Sequence, residues 1–399
     1  MNSKNLLHST FVKNRYWVYI FPFLMDFSVG AILFLMVLKA IWMGASAFNI
    51  GILGSLWGLT YFISCLCLSF FATEHNSRKY MTIGAISFIF ISVFLIFSKS
   101  LSLLFIAAIL CGFATSFFFI AFQLFMRKIT GHSIGKATGI YTLSWSFGLA
   151  LGVLSQGFIA SLNPIVSILP IIICSSFIIT GLYISERILK NPGEVKNMEN
   201  LVVLNKNKSF TEENFNYSYI FIGWMNIFMG ALLGGGFRFI IPKLVISHFN
   251  FSSSESGAMV FLFLGAQGIT GFYLIKFSKI WYKISYDLLI KSIFIFSSLL
   301  MILFPDVTIL LMFTLIGGIY SGYSFYSAAF YSLNHEKSGR NISINESFVG
   351  MASMIGPIIY GYMLEKNYRY FFSTTIVFIL ILIFMGFLFI KKSAKSAPR

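Results

Sequence analysis

The chain contains one short apolar motif twice: residues 25–33 read Met-Asp-Phe-Ser-Val-Gly-Ala-Ile-Leu, and residues 225–233 read Met-Asn-Ile-Phe-Met-Gly-Ala-Leu-Leu. Each copy lies inside an apolar run longer than the roughly twenty residues that an α-helix needs to cross a bilayer. At this offset of 200, Asp26 pairs with Asn226 and Gly30 pairs with Gly230. The motif predicts two copies of one membrane-helix unit.

Two further matches follow in the same order along the chain. Gly112 aligns with Gly318 at an offset of 206, and each glycine is followed by an aromatic-rich stretch. At an offset of 204, Gly135-Lys136, Gly152 and Gly157 align with Gly339-Arg340, Gly356 and Gly361. Small differences in loop length would produce such a drift. The matches predict an internal duplication, which is one way in which transporters are built.

The composition agrees with a membrane protein. Of the 399 residues, 57% are hydrophobic and 11% are charged, whereas about a quarter are charged in soluble domains. Twelve apolar runs are long enough to span a bilayer, and they cover residues 16–42, 48–71, 80–98, 101–126, 138–161, 166–186, 218–246, 257–277, 286–304, 307–333, 343–364 and 370–390. The predicted fold class is an all-α polytopic membrane protein with twelve transmembrane helices.

One polar joint divides the twelve runs into two groups of six. It covers residues 187–217 and contains Asn191-Pro192-Gly193, while the other joints are short. We therefore expect a six-helix bundle at 1–187, a cytoplasmic linker at 188–217 and a second six-helix bundle at 218–399.

The distribution of basic residues predicts the orientation. The net charge is +16, and 22 of the 29 Lys and Arg lie on the side of the membrane that holds the N-terminus. Basic residues near span ends stay in the cytoplasm, so both termini are expected inside a cell (inner) membrane. The charges form no single soluble basic face, which argues against a nucleic-acid partner.

Several other classes are disfavoured. The first apolar run is too long for the core of a signal peptide. All four cysteines lie inside spans without the spacing of a metal site. Residues 131–138 resemble a P-loop but have the wrong spacing, and no strand precedes them. We expect no cofactor, no metal and no enzymatic activity.

The arrangement of six plus six spans with a long central loop resembles the major facilitator superfamily over nearly the whole chain. The signature loop after the second span of that family is degraded here. Glu74, Arg78 and Lys79 remain, whereas Phe70 and Ser77 replace its two glycines. The resemblance implies that Glu74, Arg78 and Lys79 form a conformational latch; a solvated basic loop is the alternative.

The fifth span is similar to the glycine-rich motif of antiporters in that family. It carries Gly139, Gly148, Gly152 and Gly157, but Val153 replaces the expected proline. Close helix packing is the alternative explanation for these glycines. The arginine that such antiporters carry in span four is replaced by Ala108.

Ionisable residues inside spans are the candidates for function, because an ionisable group at mid-depth costs about 2.5–3.5 kcal/mol. Asp26 lies near the middle of span one and could carry a coupling proton or meet a cationic substrate; a structural hydrogen-bonding role is the alternative. Glu346 could be a second coupling site or an interfacial residue paired with Arg340. Arg238 could bind an anionic substrate group, form a gate or extend towards the surface, and Lys291 is expected to snorkel at a lipid-facing position.

A second set of residues could line a substrate cavity. Asn226 would contribute hydrogen bonds as the repeat partner of Asp26. Tyr320, Tyr323 and Tyr326 recur at helical spacing, and the resemblance places that face on the central cavity; packing is the alternative. Further aromatic candidates for substrate contact are Trp57, Phe117 and Trp224.

Together these features predict a secondary active transporter that works by alternating access as a monomer in the lipid bilayer. We expect proton-coupled export of an amphipathic compound or metabolite, which would make the protein an antiporter. Uptake of a small nutrient by proton or cation symport is the alternative within this class. A membrane-embedded enzyme or receptor is the alternative outside it.

Overall fold

The computed structural model describes residues 15–73, 75–129, 134–189, 217–277, 284–333 and 338–396. In these residues the chain forms helices and loops and no strand. Twelve of the helical segments are long and apolar enough to span a membrane. Their positions agree with the twelve predicted runs to within a few residues, which confirms the predicted fold class.

We number the spans α1 to α12. Their bounds are α1 Ile20–Trp42, α2 Ala47–Phe71, α3 Ser77–Phe97, α4 Leu101–Ile129, α5 Ile134–Ile159, α6 Pro164–Leu189, α7a Tyr217–Gly235, α7b Ile241–His248, α8 Ser253–Tyr273, α9 Ile284–Leu303, α10 Val307–Leu333, α11 Ser338–Lys366 and α12 Tyr368–Ser396. A single π-helical turn, Gly236–Ile240, joins α7a to α7b, so the two parts make one span.

Short connections make consecutive helices antiparallel and give the molecule two distinct ends. One end carries the short loops after α1, α3, α5, α7b, α9 and α11, and we call it the short-loop side. The other end carries Arg15 and Ser396, the first and last described residues, and we call it the termini side.

Local sequence explains why helices begin on the short-loop side. The Ser46 side chain accepts a hydrogen bond from the Asn49 backbone N–H at 3.2 Å and caps α2. Ser252 and Glu255 form a capping box at the start of α8, in which each side chain satisfies a backbone donor of the other residue. Gly44 precedes α2 with a φ of 75°, a conformation that glycine adopts without strain.

The two bundles meet along two long helix pairs, α2 with α11 and α5 with α8. Small residues make this contact possible because no side chain separates the backbones. At Gly58, a Cβ atom would lie 2.5 Å from the carbonyl oxygen of Ser353 on α11. A side chain at this position would therefore force the two bundles apart.

The glycines of α5 divide between two neighbours. A Cβ atom at Gly148 or Gly152 would overlap backbone atoms of α1, whereas Gly139 and Gly157 face α8. The glycine-rich sequence therefore lets α5 pack closely against one helix in its own bundle and one in the other bundle.

Equivalent contacts in the two halves support the predicted duplication. Gly112 packs on the Trp57 carbonyl oxygen and Gly318 packs on that of Phe263, so both members of the pair are offset by 206. These matching contacts relate α2 and α4 to α8 and α10. The glycine pair at offset 206 thus has the structural counterpart that a repeat requires.

The predicted register between α1 and α7 is wrong. Gly152 packs on the Phe27 carbonyl oxygen, and its repeat partner Gly356 packs on that of Leu232, an offset of 205 rather than 200. The structural counterpart of Asp26 is therefore Ala231. Because five residues turn a helix by about 140° beyond one full turn, Asn226 lies on a different face from the one predicted.

Candidate functional site

A polar cluster lies between the two bundles, inside the membrane-spanning region. We call it the central cluster and define it as Asp26 of α1, Trp57 and Tyr61 of α2, Gln123 of α4, Tyr141 of α5, Arg238 of the π turn and Glu346 of α11. Its members come from six spans, four in one bundle and two in the other.

Asp26 is the most isolated charge of this cluster. Asp26 is 6% exposed, and its carboxylate makes no hydrogen bond or ion pair with any other described residue. Arg238 and Tyr141 are near enough to interact with it electrostatically. A buried carboxylate without a bonding partner is costly, which keeps Asp26 a candidate for binding a proton or a cation.

Arg238 faces Asp26 from the other bundle on the π-helical turn. Single π-helical turns inside α-helices are frequent at functional sites. The run Gly234 to Gly236 allows this turn to pack closely, since a Cβ atom at Gly236 would lie 2.7 Å from the ring of Tyr360. The Arg238 Nε donates to the Gly234 carbonyl oxygen at 3.0 Å, and no carboxylate pairs with the guanidinium among the described residues.

Trp57 forms an aromatic platform beneath Arg238. The guanidinium carbon lies 5.0 Å from the centre of the Trp57 ring, within cation–π range. The Trp57 ring also stacks with Tyr61 at 5.6 Å and lies 6.3 Å from the ring of Phe239. Trp57 thus holds Arg238 in the interface between the bundles, as part of the cluster that contains Asp26.

Glu346 connects the two bundles closer to the termini side. Tyr61 donates a hydrogen bond to its Oε2 at 3.1 Å, and Gln123 donates to its Oε1 at 3.0 Å. Both donors belong to the first bundle, whereas Glu346 belongs to the second. The contact differs from the predicted pairing of Glu346 with Arg340, whose side chain lies outside the described positions.

Tyr141 interacts electrostatically with both acidic residues of the cluster, Asp26 and Glu346. Its ring stacks on Phe122 at 5.6 Å. Sequence reasoning missed Tyr61, Gln123 and Tyr141. A lone amide inside the apolar run 101–126 was a usable signal for Gln123, but tyrosines are too common in this chain to single out two of them.

A second polar cluster lies within the C-terminal bundle and centres on Asp287, which was not predicted. Lys291 forms an ion pair with its Oδ2 at 2.6 Å. Asn226 and Tyr323 donate to its Oδ1 at 2.7 Å and 3.0 Å. We call these four residues the Asp287 cluster. Asp287 escaped notice because it lies at the very start of its apolar run.

This cluster corrects three predictions. Lys291 is 3% exposed and does not snorkel at a lipid-facing position, because Asp287 one helical turn away binds it. Asn226 faces α9 instead of sharing a cavity with Asp26. Tyr323 also faces α9, and Tyr320 stacks on Phe294 of α9 at 5.3 Å.

The remaining aromatic candidates pack inside single bundles. Trp224 donates to Ser332 at 3.3 Å and stacks on Phe348 at 6.1 Å. Phe117 lies 5.7 Å from Tyr80 of α3, and Tyr326 stacks on Phe330 of its own helix at 5.9 Å. The structure therefore brings Asp26, Trp57, Arg238 and Glu346 together and leaves these other candidates apart.

Comparison with known protein families identifies the family of this chain. The family model described as the Major Facilitator Superfamily matches residues 17–336, which is most of the chain. The chain belongs to the major facilitator superfamily. Its members are transporters, and secondary transport is therefore the activity class of this protein.

Two solved structures share the fold of this major facilitator. The human organic anion transporter MFSD10 (TETRAN) superposes with a TM-score of 0.64 at 14% identity, over 93% of this chain and 98% of that one. A bacterial homolog of the human lysosomal transporter Spinster, in an inward-facing and occupied conformation, gives 0.66 at 13% identity, over 94% and 96%. Among curated protein sequences none matches this chain.

The signature loop of the major facilitator fold is only partly described here. The guanidinium of Arg78 lies 5.5 Å from the ring centre of Phe125 at the end of α4, and Lys79 is exposed. Glu74 lies outside the described residues. Of the three predicted latch residues, Arg78 thus has a described contact with α4, and this contact lies inside the first bundle.

Proposed function

We propose that the protein exports an amphipathic small molecule in exchange for protons, with Asp26 as the residue that binds them. The observation that carries this proposal is the Asp26 carboxylate, which lies buried between the bundles without a hydrogen bond or ion pair among the described residues. The family makes the protein a secondary transporter, and such transporters place their substrate and ion sites near the middle of the membrane, where two repeats meet.

Competition for one carboxylate explains how exchange would work. A bare carboxylate at this depth is costly, so either a proton or a cationic group must neutralise it before the bundles move. Both cannot bind at the same time. A cationic substrate therefore leaves Asp26 when a proton enters. Each change of access then carries one of the two across the membrane, the substrate in one direction and the proton in the other.

Glu346 acts in this proposal as the residue that holds the termini side closed. Its hydrogen bonds to Tyr61 and Gln123 cross from one bundle to the other. A pathway between the bundles on this side opens only when both bonds break. Breaking them costs less when Glu346 is protonated, because hydrogen bonds to a charged acceptor are the stronger ones.

The proposed orientation places the termini side in the cytoplasm of a cell membrane. Its support is the excess of Lys and Arg on that side, 22 of 29 in the sequence. We propose that a single copy is sufficient for transport, because the central cluster is assembled from the two bundles of one chain.

Symport is the second candidate, and Arg238 favours it. An anionic substrate bound to Arg238 would be repelled by the Asp26 carboxylate and accepted more readily once that carboxylate carries a proton. Proton and substrate would then bind together. The human neighbour is an organic anion transporter, which supports a role for a cationic side chain in the pathway.

Transport in proteoliposomes tests the proposal and separates the two candidates. Purified protein is reconstituted with a pH-sensitive dye inside, and amphipathic compounds are added on one side. Exchange predicts that substrate moving out drives protons in and that substrate binding tightens as pH rises. Symport predicts the opposite pH dependence. The proposal fails if none of a broad panel of cationic, anionic and neutral compounds moves protons or shows counterflow.

The Asp26→Asn variant isolates the coupling residue. It should still fold and should lose proton-driven transport, while Asp306→Asn, which changes an exposed loop carboxylate of the short-loop side, should transport normally. Unchanged proton-driven transport by Asp26→Asn would remove Asp26 from the coupling role.

A further inference from the structure

The central cluster contains two opposite charges that do not bind each other. Asp26 belongs to the first bundle and Arg238 to the second, and their charged atoms do not come within ion-pair distance, 4.0 Å. In the Asp287 cluster, by contrast, Lys291 reaches its carboxylate at 2.6 Å. Asp26 and Arg238 therefore each remain without an ion-pair partner among the described residues.

We propose that the substrate is dipolar, with a cationic end that binds Asp26 and an anionic end that binds Arg238. This proposal rests on the exchange function proposed above and names its substrate class. The molecule is an amphiphile without net charge whose polar part carries an ammonium group and a phosphate or carboxylate group.

The charges around the site favour such a molecule over one with a single charge. A simple cation at Asp26 would be repelled by Arg238, and a simple anion at Arg238 would be repelled by Asp26. These repulsions are strong because screening is weak away from bulk water. A dipolar group satisfies both side chains and adds no net charge to the membrane interior. Both oxygens of Glu346 already accept hydrogen bonds, from Tyr61 and Gln123.

Arg238 is arranged to receive an anion. Its Nε already binds the Gly234 carbonyl oxygen, and its flat face lies over Trp57. The two terminal nitrogens remain at the far edge of the guanidinium group, where they can bind two oxygens of a phosphate or carboxylate at once. Trp57 fixes the direction of this edge.

The aromatic side chains of the cluster suit the rest of the molecule. Trp57 and Tyr61 stack on each other at 5.6 Å, and Tyr141 interacts electrostatically with Asp26. Aromatic faces attract ammonium groups and bury alkyl chains. A dipolar headgroup with an apolar tail therefore finds a partner for each of its parts.

A matched set of probes tests the proposal. Dodecylphosphocholine is dipolar, dodecyltrimethylammonium is cationic and dodecyl phosphate is anionic, and all three have the same tail. Binding is measured on the full chain in lipid nanodiscs, below the concentration at which the probes form micelles, with empty nanodiscs subtracted. Wild-type protein should bind the dipolar probe at least about tenfold more tightly than either singly charged probe.

Variants of the two charges assign each end of the probe. Asp26→Asn should weaken the dipolar and cationic probes about 10- to 100-fold and should not weaken the anionic probe. Arg238→Gln should weaken the dipolar and anionic probes and spare the cationic one. Asp306→Asn should bind all three like wild type. If Arg238→Gln fails to fold, the three probes on wild type and on Asp26→Asn still decide the question.

Two results would overturn the proposal. One is equal binding of the dipolar probe and a singly charged probe to wild type, and the other is unchanged binding of the dipolar probe to Asp26→Asn. Proton movement is measured separately in proteoliposomes. Selective binding of the dipolar probe without proton exchange would remove the exchange function and keep this assignment, whereas proton exchange driven only by a singly charged probe would do the reverse.

Discussion

Two clusters of charged residues lie inside this membrane protein, and they differ in where their partners come from. In the Asp287 cluster, Lys291, Asn226 and Tyr323 all belong to the same bundle as the carboxylate and all bind it. In the central cluster, both hydrogen-bond donors to Glu346 belong to the opposite bundle, and Asp26 and Arg238, which come from different bundles, remain unbonded to each other.

This difference separates a structural role from a transport role. A cluster whose carboxylate has partners for both oxygens inside one bundle keeps its contacts while the bundles rock, so it stabilises three helices as a unit. A cluster shared between bundles must change its contacts in every transport cycle. We therefore propose that the same residue types serve stability in one place and substrate movement in the other.

The largest effect is expected from breaking the Asp287 cluster on one side only. Lys291→Met should lower the free energy of unfolding by about 3–5 kcal/mol, because it leaves a buried carboxylate uncompensated. The double variant Lys291→Met with Asp287→Leu should recover most of this loss. Denaturant unfolding of the purified protein measures all three forms, and equal stability of Lys291→Met and wild type would contradict a structural role.

Asp26→Asn should change stability little and transport strongly. Its unfolding free energy should change by less than about 1 kcal/mol, since no hydrogen bond to a described residue is lost. Proton-driven transport should fall about 100-fold, which corresponds to the cost of roughly 2.5–3.5 kcal/mol for a charge at this depth. Proteoliposome flux and unfolding are measured on the same preparation. A stability loss as large as that of Lys291→Met would make Asp26 a structural residue.

Tyr61→Phe should shift the balance between open and closed forms of the termini side. The variant removes one hydrogen bond to the Glu346 carboxylate, worth about 1.5–3 kcal/mol. The open population should rise about tenfold or more, as measured by distances between spin labels on the two bundles. Tyr362→Phe, which removes an exposed hydroxyl on α11, is the control. Identical distance distributions in both variants would show that this hydrogen bond does not hold the bundles together.

The smallest effect is expected at Asn226, where the predicted repeat and the structure disagree most directly. Asn226→Ala should cost about 1.5 kcal/mol of stability, the low end for a hydrogen bond to a charged group, because Lys291 and Tyr323 still bind Asp287, and it should leave the order of preferred substrates unchanged. Transport competition between several compounds checks this. A changed substrate preference at normal stability would restore the predicted cavity role.

The site residues that the sequence predicted were chosen by their depth in an apolar run. The residues that it missed depend on the direction in which their side chains point around the helix. Asp26 and Arg238 could be chosen because any ionisable residue deep in an apolar run is unusual. Nothing in the sequence stated that Lys291 would turn inward to Asp287, because an ion pair one helical turn apart can face lipid or protein. Tyr61 and Tyr141 were indistinguishable from the other tyrosines until packing brought them into the cluster that contains Glu346 and Asp26.

The duplication shows the same limit. Glycines that contact a neighbouring backbone, such as Gly112 and Gly318, kept their spacing because close packing tolerates no side chain there. The similar motifs at Met25 and Met225 share residue types but not contacts. Similar apolar residues recur easily in membrane helices, so the register between the two halves follows from the glycine contacts and not from the similarity of the sequences.

The sequence by itself determined the twelve spans and the membrane environment, and it predicts the division into two halves and the depth of Asp26. These properties depend on the length and order of apolar runs, which are fixed along the chain. Only the tertiary structure decided which residues face one another: Arg238 over Trp57, Glu346 on Tyr61, and Asn226 on Asp287 instead of beside Asp26. The direction of a side chain around a helix changes by about 100° per residue, and only packing against other helices selects which direction points into the site.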